Sequence, residues 1–112
     1  MRIGFTSNKL QKLANSSREA QKQLGKPSAK KLRLRLDDLD AATTLEDMRF
    51  LPAARCHELK GDRKGSLAVD LHGGLRLVFQ PDHDPSPTRA DGGLDWDQVT
   101  AILITAITDY HD

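Results

Sequence analysis

Residues 66–80 read SLAVDLHGGLRLVFQ, and the way this stretch turns back on itself decides the sheet. Two runs of alternating apolar residues flank His72-Gly73-Gly74, a glycine-containing turn of hairpin length. If Leu71 faces Leu75 across a three-residue loop, Val69 faces Leu77 and Leu67 faces Phe79, so all six apolar side chains share one face. Asp70 then pairs with Arg76 on the opposite face. A two-residue loop would set apolar against polar at every rung, so the three-residue register is predicted.

Working outward, a strand is predicted over residues 55–60, joined to the hairpin by the turn Gly61-Asp62-Arg63-Lys64-Gly65. Residues 81–98, PDHDPSPTRADGGLDWDQ, read as a long mobile loop with five aspartates. Trp96 is read as pinning that loop to the domain rather than stacking on a base. A last strand follows over residues 99–108, apolar on both parities, as expected of a central strand covered on both faces. Upstream, residues 2–5 form a short strand candidate, and Thr6-Ser7-Asn8 offers caps for a helix running to about Leu24. Ser28 is read as the cap of a second helix whose stripe is Ala29, Leu32, Leu36 and Leu39. Lys30, Lys31, Arg33 and Arg35 fall on its flanks and back, and Leu34 is a lone exposed leucine or a partner contact. Strand, two helices and four strands argue an α+β fold, a helical hairpin packed on a largely antiparallel sheet of about four to five strands, as a single domain over residues 1–112.

The composition, 38% hydrophobic and 29% charged, suits a folded globular chain. No apolar run is long enough to cross a bilayer and no leader is evident, so a cytoplasmic protein without membrane partners is expected. Cys56 is the single cysteine, which excludes an internal disulfide and a cysteine-based metal cluster; it reads as a small buried side chain. Net charge is only +1, but residues 1–36 carry 10 of the 17 Lys and Arg against one acid. The remainder carries 7 against 15 acids. Such halves either present a basic face to a polyanion or neutralise one another on folding.

His57, Lys60, Arg63, Arg76, Asp109, Tyr110 and His111 all fall on strands or tight turns of the one sheet. Two imidazoles among cations suit metal-free phosphodiester cleavage, in which a base frees a ribose 2′-hydroxyl, cations stabilise the phosphorane charge and an acid protonates the 5′-oxygen. Histidine serves either proton role because its pKa lies near neutrality. Each residue also has a purely structural reading: His57 as a satisfied core histidine, Arg76 as the cross-strand partner of Asp70, and Lys60 and Arg63 as parts of a solvated turn. There is no dinucleotide fingerprint, phosphate loop or nucleophile elbow. No calcium-loop spacing occurs among the aspartates, so neither cofactor nor metal is expected.

The motifs AKKLRLRLDDLDAATTLEDM, HELKGDRKGSLAVDLHGGLRLVFQ and the terminal DYH resemble the HigB-type killer toxins of the RelE superfamily, over roughly residues 29–80 and 99–111. The resemblance implies a RelE-like fold and a ribosome-dependent messenger-RNA endoribonuclease. It also implies a HigA-like helix-turn-helix antitoxin as partner, with operator DNA reached only through that antitoxin. His57, Asp109, Tyr110 and His111 match catalytic positions; Lys60, Arg63 and Arg76 match basic positions for phosphate. A catalytically weak subunit that chiefly serves operon autoregulation is the alternative. The acidic loop 81–98, if it hung beside the site, would repel RNA.

Overall fold

The hairpin of residues 66–80 forms in the three-residue register. In the computed structural model, which describes residues 1–109, β3 (Leu67–Asp70) and β4 (Arg76–Pro81) pair Leu67 with Phe79, Val69 with Leu77 and Asp70 with Arg76. The Leu71 amide donates to the Leu75 carbonyl at 2.9 Å and closes the loop. Around this hairpin stands a five-stranded sheet in the order β1-β5-β4-β3-β2, with β1 (Arg2–Phe5), β2 (His57–Glu58) and β5 (Ala101–Thr108). All neighbours are antiparallel except β1 and β5, which run parallel with Arg2 opposite Ala101 and Phe5 opposite Ile104.

The first helix is broken where a continuous one was expected. α1 (Asn8–Asn15) is capped by Ser7, whose hydroxyl accepts from the Leu10 amide, and α2 (Ser17–Leu24) begins again after Ser16. Ser16 takes an extended conformation, donates its N–H to the Lys12 carbonyl at 3.0 Å and accepts from the Glu19 amide at 3.2 Å. Asn15-Ser16-Ser17 keeps the apolar period intact while its short polar side chains compete for the backbone, so periodicity could not show the break. Gly25, at φ +84°, permits the reversal into α3 (Lys26–Ala41). Pro27 lies in the first turn of α3, so Ser28 is not a cap but a buried residue within the helix.

The stripe Ala29, Leu32, Leu36 and Leu39 is buried against the sheet together with Leu45 and Met48 of the 3-10 turn Leu45–Phe50. Leu34 is exposed, as the helical period predicts. Arg35 departs from its expected place on the flank: its side chain is buried. Its Nε donates to the Asp70 carbonyl at 2.8 Å, Nη2 to the Ala53 carbonyl at 3.0 Å, and Nη1 meets Asp38 at 3.3 Å. Those acceptors satisfy a cation that would otherwise be expensive to bury. The cations of residues 1–36 that form ion pairs among the described residues do so with Asp37 and Asp38, one turn along α3. These pairs cross the boundary between the basic and acidic halves only locally, within one helix.

β5 is apolar on both parities for a reason other than a covering layer on each face. Val78 pairs with Ala106 but Phe79 with Ile104, so Thr105 is an extra residue that shifts the alternation. Ile102 and Ile104 face the helices, Ile107 returns to that side after the bulge, and Ala106 joins Leu59, Ala68 and Val78 on the other. β2 is shorter than expected because Arg55, at φ 47° and ψ 50°, is left-handed and ends the 3-10 turn Pro52–Ala54.

Pro81 belongs to β4, and the segment after it is tied down rather than loose. The Asp82 amide donates to the Ala101 carbonyl at 2.8 Å, and the Thr100 amide to Nε2 of His83 at 3.1 Å. Trp96 is buried as a pin: its Nε1–H reaches Glu58 at 3.1 Å and the Arg49 guanidinium lies 3.9 Å above its ring.

Candidate active site

Strand alternation turns one parity of the sheet away from the helices. One rung of that open face runs His57, Ala68, Val78, Ala106, and the next runs Asp70, Arg76, Thr108. His57 and Arg76 thus share a face, two strands apart, about 10 Å laterally at the usual strand spacing. On the His57 rung, the small Ala68 stands on β3, the strand between those of His57 and Arg76.

His57 is half-buried, and its Nδ1 lies 2.8 Å from the Arg55 carbonyl. A carbonyl only accepts, so Nδ1 carries the proton and Nε2 is the basic atom of the neutral ring. Arg76 is largely enclosed, with Nη1 donating to the Gly74 carbonyl at 2.7 Å and Nε 3.6 Å from Oδ1 of Asp70. The predicted Asp70–Arg76 pair is therefore present, but Asp70 has a second and closer partner. Arg55 meets it two-pronged, Nε to Oδ2 at 2.9 Å and Nη2 to Oδ1 at 3.1 Å.

The turn Gly61–Arg63 follows Lys60, with Gly61 at φ +61° and Gly65 at φ +96° where an L side chain would be strained. Lys60 is exposed and Arg63 half-buried. Asp62, Arg63, Lys64 and Ser66 form one wall of an open groove of about 630 Å³, whose floor and far wall are Val78, Gln80, Thr105 and Ala106. Val78 and Ala106 belong to the His57 rung, although His57 itself, two strands from Val78, does not line the groove. Asp109 is exposed and follows directly on Thr108, the rung partner of Arg76. Tyr110 and His111 lie outside the described residues.

The structure therefore gathers His57, Arg63 and Arg76 on or beside one face, with Asp109 at its β5 end and Lys60 at the base of the turn. It adds Arg55, which no local pattern marks, since an arginine at the start of a predicted strand reads as solvated. Among the described residues, no three His, Cys, Asp or Glu side chains come together to hold a metal ion. Cys56, next to His57 but of opposite parity, has its thiol pushed up to about 12 by burial, against a smaller opposing pull from Arg49. It is no nucleophile near neutral pH.

The acidic loop leaves β4 at the Pro81–Ile102 pair, whereas Arg76 and Thr108 pair at the other end of the same two strands. Five residues of strand separate the two ends, about 17 Å. Its Trp96 is buried in the core beneath the helices. The sequence left open whether this loop lies beside the site: it leaves the sheet at the end away from Arg76, while its Trp96 reaches Glu58, the neighbour of His57, on the helix-facing side.

Residues 4–85 match the family of RelE-like toxins of the type II toxin-antitoxin system HigB. The chain belongs to that family. As a type II toxin it has an antitoxin for a partner. Among solved structures, the YoeB/ParE toxin from Agrobacterium tumefaciens shares the fold of this toxin with a TM-score of 0.52 at 12% identity, over 99% of this chain and 100% of that one. No curated protein sequence matches the toxin. No helix is long and apolar enough to cross a membrane among the described residues.

Proposed function

We propose that the toxin is a metal-independent endoribonuclease that cuts messenger RNA on the ribosome by attack of a 2′-hydroxyl on the adjacent phosphate. RelE-like toxins are generally endoribonucleases, which supports the class of reaction. The observation that carries the reading is the shared open face: a histidine with Nδ1 protonated, an enclosed arginine one rung away, and a groove walled by Arg63 and Lys64. Nε2 of His57 would exchange the proton of the attacking or leaving oxygen, with His111 as its counterpart and Tyr110 in contact with the phosphate. Asp109 would orient an imidazole, and Lys60, Arg63 and Arg76 would bind phosphate oxygens and stabilise the charge that builds at phosphorus. The partner that restrains it is a HigA-like helix-turn-helix antitoxin, through which alone operator DNA is reached, and the place of action is the cytoplasm.

One observation favours the reading as a weakly active subunit that chiefly binds antitoxin: Nε2 of His57 is shielded from solvent. Induced expression separates the two. Growth arrest with cuts in messages on translating ribosomes, both lost in His57→Ala and His111→Ala while the fold persists, supports the enzyme. A wild type that neither arrests growth nor cuts message rules it out.

A further inference from the structure

We propose that Arg55 is a positioning residue that locks His57 and Arg76 into one geometry, with Asp70 as the link between them. The inference rests on the reading of those two as site residues. Arg55 is the only described non-glycine residue with positive φ, at φ 47° and ψ 50°. A side-chain-bearing residue persists there only when its surroundings over-determine it, and such strain gathers at functional sites.

Besides the hydrogen bond of its amide to the Pro52 carbonyl at 3.1 Å, two contacts, one from each end of the residue, link it to the site. The left-handed turn aims the Arg55 carbonyl at the ring two residues on, 2.8 Å from Nδ1 of His57, which sets the tautomer. The guanidinium grips both oxygens of Asp70 at 2.9 and 3.1 Å, and Oδ1, the oxygen that receives Nη2, lies 3.6 Å from Nε of Arg76. His57 ring, Arg55 backbone, Arg55 guanidinium, Asp70 carboxylate and Arg76 guanidinium thus form one chain of contacts across β2, β3 and β4. Arg55 is about half exposed at 48%, and an ion pair this open to water adds little stability. Its consequence is geometric: release Asp70, and the left-handed backbone at Arg55 loses the two-pronged contact that helps hold it, so that its carbonyl can move away from His57.

The test couples atoms that do not touch. In toxin labelled with 15N-histidine, the neutral His57 ring of the wild type is expected to carry its proton on Nδ1. Asp70→Asn, although remote from the ring, is expected to move that proton toward Nε2, and Arg55→Ala to do the same. The double variant should be no worse than either single one. Arg55→Lys should fail to restore the wild-type signal, because an ammonium cannot make the two-pronged contact. On translating ribosomes, kcat should fall roughly tenfold or more with KM changed far less. If folded Asp70→Asn and Arg55→Ala both keep the wild-type ring signal, or if the wild type carries its proton on Nε2, the proposal is overturned. The ring signal decides this whether or not the toxin cuts RNA, so failure of the catalytic reading shows separately, as an absent cleavage in the wild type.

Discussion

The two faces of the β3–β4–β5 sheet are built from adjacent residues and do opposite work. Toward the helices, Leu67, Val69, Leu77, Phe79, Ile102 and Ile104 are buried to within 1% exposure, and the interior they form with α3 is apolar apart from Arg35 and Ser28. On the other face, the same strands present Ala68, Asp70, Arg76, Val78 and Thr108, with only a small apolar cluster. One parity supplies most of the folding free energy, since buried apolar area dominates it. The other, although Ala68 and Val78 are buried on it, carries the charged side chains. A single backbone alternation thereby separates the demands of stability from those of chemistry.

The largest expected effect tests that separation at two consecutive residues. Phe79→Ala should cost about 3–5 kcal/mol, whereas Val78→Ala, in the small apolar cluster of the other face, should cost about 1–2 kcal/mol. Equal losses in denaturant titrations would break the contrast between the faces. Next comes the exception within the apolar layer. Arg35→Met should destabilise by about 2–4 kcal/mol, because Asp38 and the carbonyls of Asp70 and Ala53 lose their donor. A neutral or stabilising result would mean that a plain aliphatic layer suits the site equally well.

The contrast between neighbours of opposite parity sharpens at Cys56 and His57. The Cys56 thiol rises from the ordinary 9.0 to about 12 in the folded chain, so the unfolded chain releases its proton first as pH increases. Its contribution to stability is constant below about pH 9 and is lost between 9 and 12, with a slope approaching ~1.4 kcal/mol per pH unit. Cys56→Ala should remove that slope, and native toxin at pH 8 should resist thiol alkylation that unfolded toxin undergoes. Alkylation of the folded chain at the unfolded rate would place Cys56 on the wrong side of the sheet. The smallest effect belongs to the groove: Gln80→Ala is exposed and should change stability by less than about 0.5 kcal/mol. A larger loss in the same titrations would show that the open face carries structure of its own.

What could be read from the chain follows the reach of each physical cause. The hairpin register was legible because six apolar residues and a turn of fixed length constrain one another over fifteen positions. The stripe on α3 was legible for the same local reason. Ser16 was not, since a cap that ends one helix and starts the next leaves the period unchanged. Arg35 misled because an arginine on a helix is usually solvated, and the carbonyls that receive it come from residues 18 and 35 positions away. The loop after β4 looked mobile by composition, but His83–Thr100 and Trp96–Glu58 tie it down across 17 and 38 positions. The candidate site divides likewise. His57, Arg63 and Arg76 follow from strand parity and a glycine turn, while Arg55 depends on a left-handed residue that no pattern announces. Tyr110 and His111 remain positions named from sequence alone.

The parallel pairing of β1 with β5 carries a consequence for how the molecule is made. Arg2 and Ala101 sit side by side, and β5 is the strip that joins β1 to the hairpin. Through all the time that residues 1–100 are being synthesised, the first strand and the hairpin have no shared partner, and the rung that ends at Thr108 is incomplete. Contacts of such long range form last and slowly. Because β5 supplies the last residue of each rung it shares with β4, the face that carries Arg76 cannot be completed until residues 101–108 have been made.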